Sequence, residues 1–165
     1  MKTRLVRRAA LALAIALLSI TVAASASAQT QSVTVAVNAI NQIAFTGSPS
    51  LTITTATAGS NPTSVSDAVT ATWAVTTNQT GAKITGSIAS ALPAGITLSV
   101  NLANPTGATS AGLTALGTTA VDLVTGITKL AQGSLGVTYT LSATAAAGVL
   151  SSTTKVVTYT ITGGT

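Results

Sequence analysis

Five charged side chains follow the first 28 residues, and they are the groups from which an active site would have to be built: Asp67, Asp122, Lys83, Lys129 and Lys155. Two carboxylates can hydrolyse a glycosidic bond if they face each other across a cleft, and a lysine can activate a serine if burial lowers the lysine pKa. The chain has no histidine and no cysteine, which removes the usual general base, thiol nucleophile and zinc ligands. We therefore predict no catalytic residue, no metal site and no cofactor, in a protein that is not an enzyme.

The surroundings of these charges favour structural roles. Asp67 begins the segment that carries Trp73, and we interpret it as a turn or strand-start residue. Asp122 lies between Val121 and Leu123 and is interpreted as a surface charge. The three lysines lie in polar strand or turn contexts, where charges protect sheet edges from unwanted pairing.

Trp73 is the large side chain in the middle of a predicted strand, and it shares a face with Val69, Ala71 and Val75 if side chains alternate regularly. A buried tryptophan commonly occupies the centre of a β-sandwich, which favours a core position. The alternative is a ligand-stacking platform for a sugar ring, and that alternative requires Trp73 to be exposed.

The N-terminus has the pattern of a secretory signal peptide. Four basic residues between Lys2 and Arg8 precede an apolar run from Ala9 to Ala24, and Ala26-Ser27-Ala28 supplies the small residues that a signal peptidase reads. We predict that residues 1–28 are a signal peptide cleaved before Gln29, the rival being an uncleaved membrane anchor. The expected location is extracellular or at the cell surface, with the periplasm as an alternative, and without stable membrane insertion after cleavage.

The charge of the chain belongs mostly to that predicted signal. Four of the seven basic residues lie in it, and three lysines against two aspartates remain in residues 29–165. A nearly neutral chain offers no basic patch for nucleic acid or anionic lipid. Residues 29–165 have the length of one domain, which must be stabilised by its Val, Ile and Leu side chains because it has no disulfides.

Alternation of apolar and polar residues dominates residues 29–165 and predicts short strands. Gly, Pro and Asn clusters separate the segments, and Asn78-Gln79-Thr80-Gly81 is interpreted as a hairpin connection. We predict an all-β fold, an antiparallel immunoglobulin-like β-sandwich of seven or eight strands, closed by a hairpin of 137–141 with 156–161 whose tip includes 143–150. The alternating segments are 33–37, 51–54, 69–75, 84–88, 96–102, 121–123, 135–141 and 157–161.

The chain resembles small secreted β-sandwich proteins of bacteria, a broad group that includes pilin-like and surface-fibre subunits. The resemblance rests on the predicted signal, the Thr/Val alternation and the strands 137–141 and 156–161. It implies a structural or adhesive role outside the cell.

The predicted function is therefore a non-catalytic structural subunit of a bacterial cell-surface or extracellular assembly, which self-associates through sheet edges. The alternative is an adhesion module that binds carbohydrate or a surface, and a hydrolase ranks third. Val33, Val35 and Val37 lie on one face of the first predicted strand. This strand can pair in its own sheet, or it can be donated to the sheet edge of a neighbouring subunit.

Overall fold

The computed structural model describes residues 26–165, and within them the chain is all-β. Seven of its strands have six or more residues and two have only two residues. A 3-10 turn, Ala145–Ala147, follows the eighth strand of the described chain. The strands are β1 (Asn41–Thr46), β2 (Val65–Thr77), β3 (Ala82–Ile88), β4 (Ile96–Leu102), β5 (Thr109–Ser110), β6 (Thr114–Ala115), β7 (Val121–Ile127), β8 (Leu130–Ala143) and β9 (Val157–Thr162).

The strands form two antiparallel sheets, in the orders β1-β2-β8-β4-β6 and β5-β7-β3-β9. One core lies between them: Trp73, Val100 and Val137 come from the first sheet, and Ile84 and Leu123 come from the second. The predicted all-β fold with two antiparallel sheets is therefore confirmed, as in a β-sandwich. The immunoglobulin-like connectivity stays a prediction.

Alternation predicts the buried face correctly along most strands, because successive side chains of a strand point to opposite sides of the sheet. In β3, from Ala82 to Ile88, successive residues are alternately buried and half-buried. In β2, however, Val69 is 90% exposed, whereas Ala71, Trp73 and Val75 are buried. The prediction for Val69 is wrong because the β2–β8 register shifts between Asp67 and Ala71, where a bulge interrupts the alternation.

Two predicted strands lie outside the sheets. Val33–Val37 and 51–54 have no strand assignment, although both segments alternate regularly. Val37–Thr165 is a compact unit that carries all the strands of the described chain, and the described residues 26–36 belong to a different unit. The predicted signal peptide lies almost entirely outside the described residues.

Both predicted hairpins are wrong, because each joins strands of different sheets. The Asn78–Gly81 connection leads from β2 in the first sheet to β3 in the second, and the 144–156 connection leads from β8 to β9 in the same way. Distant residues hold the first connection, since Gly81 N–H donates to Thr128 Oγ1 (3.1 Å) and Thr80 and Thr165 exchange backbone hydrogen bonds (3.0 and 3.1 Å). Local turn chemistry marks a reversal but does not select the sheet to which the next strand belongs.

Candidate functional site

Trp73 lies in the core, with 1% of its surface exposed. The stacking alternative required an exposed ring, and a ring this deeply buried cannot receive a sugar from solvent. Its indole Nε1 has no hydrogen-bond partner among the described residues. An unpartnered buried N–H of this kind costs about 1–3 kcal/mol, so packing, without a hydrogen bond from the indole, must hold the ring in place.

The Trp73 indole begins a column of aromatic rings that reaches the side of the sandwich. Phe45 stacks on Trp73 with ring centroids 5.9 Å apart and on Tyr159 with centroids 3.9 Å apart. The Tyr159 hydroxyl shares a 2.6 Å hydrogen bond with the Tyr139 hydroxyl. Phe45 belongs to β1 and Tyr159 to β9, which are edge strands of the two sheets. The column therefore closes the core at the side of the sandwich where these two strands lie next to each other.

The two tyrosines of this column are half-buried, and burial is the main reason that both pKa values are raised above the ordinary phenol value. Their shared hydrogen bond raises the pKa of Tyr159 further and lowers that of Tyr139. Both rings are therefore neutral across the physiological pH range, so the column is an uncharged part of the core.

Strands β1 and β9 are the edge strands at this side of the molecule, since each pairs with one neighbour only. Six consecutive residue pairs join β1 to β2, and six join β9 to β3, without a register shift in either ladder. The edge sequences, NQIAFT and VTYTIT, contain no charge and no proline. Natural sheets usually protect such edges with charges, prolines or bulges, and these two edges have none of these features.

The ladder geometry shows which residues present free main-chain groups at these edges. Ala89 N–H donates to the Val156 carbonyl (3.1 Å), so hydrogen-bonded pairs recur at alternate residues, through Thr158 and Thr160. The N–H and C=O groups of Val157, Tyr159 and Ile161 therefore face away from β3. The same reasoning from the Asn78–Ile40 hydrogen bond (3.2 Å) leaves the groups of Ile43 and Phe45 facing away from β2.

The N-terminal valines lie outside this sheet system. Val33, Val35 and Val37 are 76%, 85% and 83% exposed. Three large apolar side chains at alternate positions are rarely left in water without a partner. The described chain thus contains a strand-like segment without a sheet, together with sheet edges without a partner.

Asn78 fixes the chain where this segment joins β1. Its Oδ1 accepts a hydrogen bond from Ile40 N–H (2.8 Å), its Nδ2 donates to the Asn38 carbonyl (2.7 Å), and its own N–H donates to the Ile40 carbonyl (3.2 Å). Residues 38–40 are therefore held beside the end of β2. The sequence offered only a turn interpretation for Asn78, because the partners lie 38 and 40 positions away.

The two aspartates lie in different sheets, Asp67 in β2 and Asp122 in β7, and each has partners of its own. Asp122 forms an exposed ion pair with Lys83 (2.9 Å). Asp67 accepts hydrogen bonds from the Thr70 hydroxyl (2.6 Å), Thr70 N–H (2.9 Å) and Val69 N–H (3.0 Å). These bonds stabilise the carboxylate and hold the Asp67 pKa below its ordinary value. The bond from the Thr70 hydroxyl has the largest effect.

The other two lysines occupy connections. Lys129 has a positive φ of 41° in the turn between β7 and β8, and its N–H donates to the Gln79 carbonyl (2.9 Å). Lys155 Nζ donates to Ser90 Oγ and the Ala91 carbonyl (both 3.0 Å). Within residues 26–165, no cluster of three or more His, Cys, Asp or Glu residues could hold a metal ion.

No protein-family model, no curated protein and no solved structure matches this chain. Among the described residues there is no helix with the length and apolar character needed to cross a membrane.

Proposed function

We propose that this chain is a non-catalytic structural subunit of a bacterial cell-surface or extracellular assembly, whose copies join through their sheet edges. One observation carries the proposal: β1 and β9 are regular edges of six residues each, uncharged and without bulges. Edge main-chain groups form hydrogen bonds with any strand that adds to them, and no charge opposes the approach.

The side chains along these edges also favour association. Ile43 and Phe45 of β1 and Val157, Tyr159 and Ile161 of β9 are only partly buried, although they pack against the core. A strand added at this side would cover the remaining apolar surface. Burial of apolar surface contributes about 25 cal/mol per Å², so association gains from side chains as well as from main-chain hydrogen bonds.

The experiment is the oligomeric state of the chain that begins at Gln29. Light scattering coupled to size exclusion should detect species larger than a monomer, in amounts that rise with concentration, and negative-stain microscopy should show their form. A variant with Lys at the exposed edge positions Ala44 and Thr160 should shift the distribution towards monomers. The matched control, Lys at the exposed surface residue Thr52, should not. A wild-type chain that stays monomeric at high concentration contradicts the proposal.

The second candidate is a carbohydrate- or surface-binding adhesion module, and a hydroxyl ladder favours it. Thr85 lies opposite Thr160 and Ser87 lies opposite Thr158, on the face of the second sheet that points away from the core. Such a ladder can form hydrogen bonds with sugar hydroxyls. Glycan-array binding by the monomer, lost when Thr85 and Thr160 are changed to Val, would support this alternative over the first.

A further inference from the structure

We propose that the edge of β9 accepts residues Val33–Val37 of a second copy of this chain as an additional antiparallel strand. The inference rests on the proposed function and names the partner segment and the accepting edge. It assigns Val33 opposite Ile161, Val35 opposite Tyr159 and Val37 opposite Val157.

The match between the two segments favours β9 as the acceptor. β9 presents three apolar side chains on its inner face, at Val157, Tyr159 and Ile161, and the N-terminal segment presents three valines at the same spacing. The other long edge, β1, presents only Ile43 and Phe45, with Asn41 in the third position. Alternate side chains of an added strand continue the face of the strand beside them, so only β9 offers an apolar partner to every valine.

The orientation of the main-chain groups also favours β9 as the acceptor. The N–H and C=O groups of Val157, Tyr159 and Ile161 face the free side of β9, as the alternation of the β3–β9 ladder requires. In an antiparallel ladder, directly opposite residues alternate between pairs that exchange both hydrogen bonds and pairs that exchange none, and in both kinds of pair the two side chains lie on the same face. A residue placed opposite Val157, Tyr159 or Ile161 on the free side of β9 belongs to a hydrogen-bonded pair, because the main-chain groups of these three residues face that side. Val33, Val35 and Val37 would therefore use their own N–H and C=O groups to bind β9.

The accepting edge must belong to a second copy, because the chain cannot reverse where it would have to. Pairing within one copy requires a turn in residues 38–40, between the valines and β1. Asn78 holds these residues beside β2 with hydrogen bonds to Asn38 and Ile40. A reversal would break those bonds, whereas donation to another copy keeps all of them.

The resulting contact joins unlike surfaces, the N-terminal segment of one copy and β9 of the next. Heterologous contacts of this kind repeat from copy to copy and give a filament, or a ring if the rotation closes. Each copy donates one segment and accepts one, so a filament has a free β9 edge at one end only.

Engineered disulfides test the assignment, since the chain has no cysteine of its own. In the proposed register Thr34 lies opposite Thr160, and both side chains are exposed in the unassembled chain. The double variant Thr34→Cys/Thr160→Cys, made in residues 29–165, should give a ladder of covalent multimers on a non-reducing gel after mild oxidation. The matched control Thr34→Cys/Ala44→Cys, which directs the same segment to β1, should give none.

A peptide test examines the main-chain bonds. A synthetic Gln29–Asn38 peptide should bind the free β9 end of the wild-type assembly and shorten it. N-methylation of Val35 removes an N–H that faces β9 and should weaken this effect by more than about tenfold. N-methylation of Ala36, whose N–H faces away, should leave the effect unchanged.

The outcomes separate this inference from the proposed function. A ladder from the β1 control, or multimers of the wild-type chain without a ladder from Thr34→Cys/Thr160→Cys, overturns the β9 assignment and leaves the structural function standing. Loss of peptide activity on N-methylation of Ala36 instead of Val35 overturns the antiparallel register. A wild-type chain that never associates removes both proposals.

Discussion

Trp73 shows how one residue can combine good packing with an unsatisfied polar group. The indole is buried and stacked against Phe45, yet its Nε1 has no acceptor among the described residues. The core therefore gains the apolar area and the aromatic contact while it carries the cost of one desolvated N–H. The core position predicted for Trp73 is confirmed, whereas the missing acceptor leaves no trace in the sequence.

Substitutions of Trp73 should separate these two contributions. Trp73→Ala should lower the free energy of unfolding by about 3–5 kcal/mol, because it removes a large ring from a packed core. Trp73→Phe should lower the free energy of unfolding clearly less, because it keeps an aromatic ring in the core. It also removes the unpartnered N–H, whose burial destabilises the fold by about 1–3 kcal/mol. Urea unfolding followed by circular dichroism measures both values. A wild-type fluorescence maximum typical of water, with unchanged melting of Trp73→Ala, would contradict the buried position.

At the scale of the element, the bulge in β2 decides which side chains the strand buries. Asp67 folds back onto Val69 and Thr70 N–H groups, and the register with β8 shifts at this point. The extra backbone length turns Val69 out to solvent and returns Ala71 and Trp73 to the core. The alternation of the sequence continues through Val69 without any sign of this change, because a bulge depends on side-chain to main-chain hydrogen bonds that hydrophobic patterning does not describe.

The Asp67 bulge should make stability depend on acidity. The hydrogen bond from the Thr70 hydroxyl, together with those from the Thr70 and Val69 N–H groups, lowers the folded-state pKa of Asp67 below its ordinary value of 3.8. A lowered pKa stabilises the fold above the unfolded-state pKa, and this contribution is lost as the pH falls through the folded-state pKa. We expect the free energy of unfolding to drop as the pH decreases below about 4, and Asp67→Asn to flatten that drop.

The matched control for this measurement is Asp122→Asn, which removes the other aspartate and its ion pair with Lys83. This variant should keep the acid-induced loss that Asp67 causes. Chemical unfolding at a series of pH values provides the comparison. An equal drop in wild type and Asp67→Asn would show that the bulge contributes nothing to the acid dependence.

At the scale of the whole molecule, folding leaves an alternating segment and a sheet edge of the described chain without a partner. The sheets use nine strands within residues 26–165, while Val33–Val37 stays outside them and the β9 edge lacks a second neighbour. The proposed strand donation follows from this combination. It also requires that Val33 lie close to a free chain end, which depends on how the N-terminus is processed.

Processing should therefore produce a secreted protein that starts at Gln29. The small residues Ala26-Ser27-Ala28 match the pattern that signal peptidases read. Intact-mass measurement and N-terminal sequencing of the protein recovered from the producing cells provide the check. Retention of Met1 in the exported protein would contradict cleavage. Replacing Ala26 and Ala28 with bulky residues should block processing and leave the chain at the membrane.

The sequence by itself determined the all-β class, most strand positions and, along β3, β4 and β9, the face of each strand that points to the core. These properties follow from alternation, which is local: each residue's side is set by its neighbours two positions away. The composition also limits the available chemistry, because a chain without histidine and cysteine lacks the side chains that most often act as general base and thiol nucleophile.

Only the tertiary structure decided which strands pair and which edges stay free. β2 pairs with β8, whose partner residues lie more than fifty positions further along the chain, and both predicted hairpins proved to cross between sheets. Alternation assigns a side to each residue but names no neighbour, so the Phe45–Tyr159 stack and the hydrogen bonds of Asn78 could not be predicted. The free edge of β9 is likewise a property of the whole arrangement, since a strand is an edge only when every other strand has found its place elsewhere.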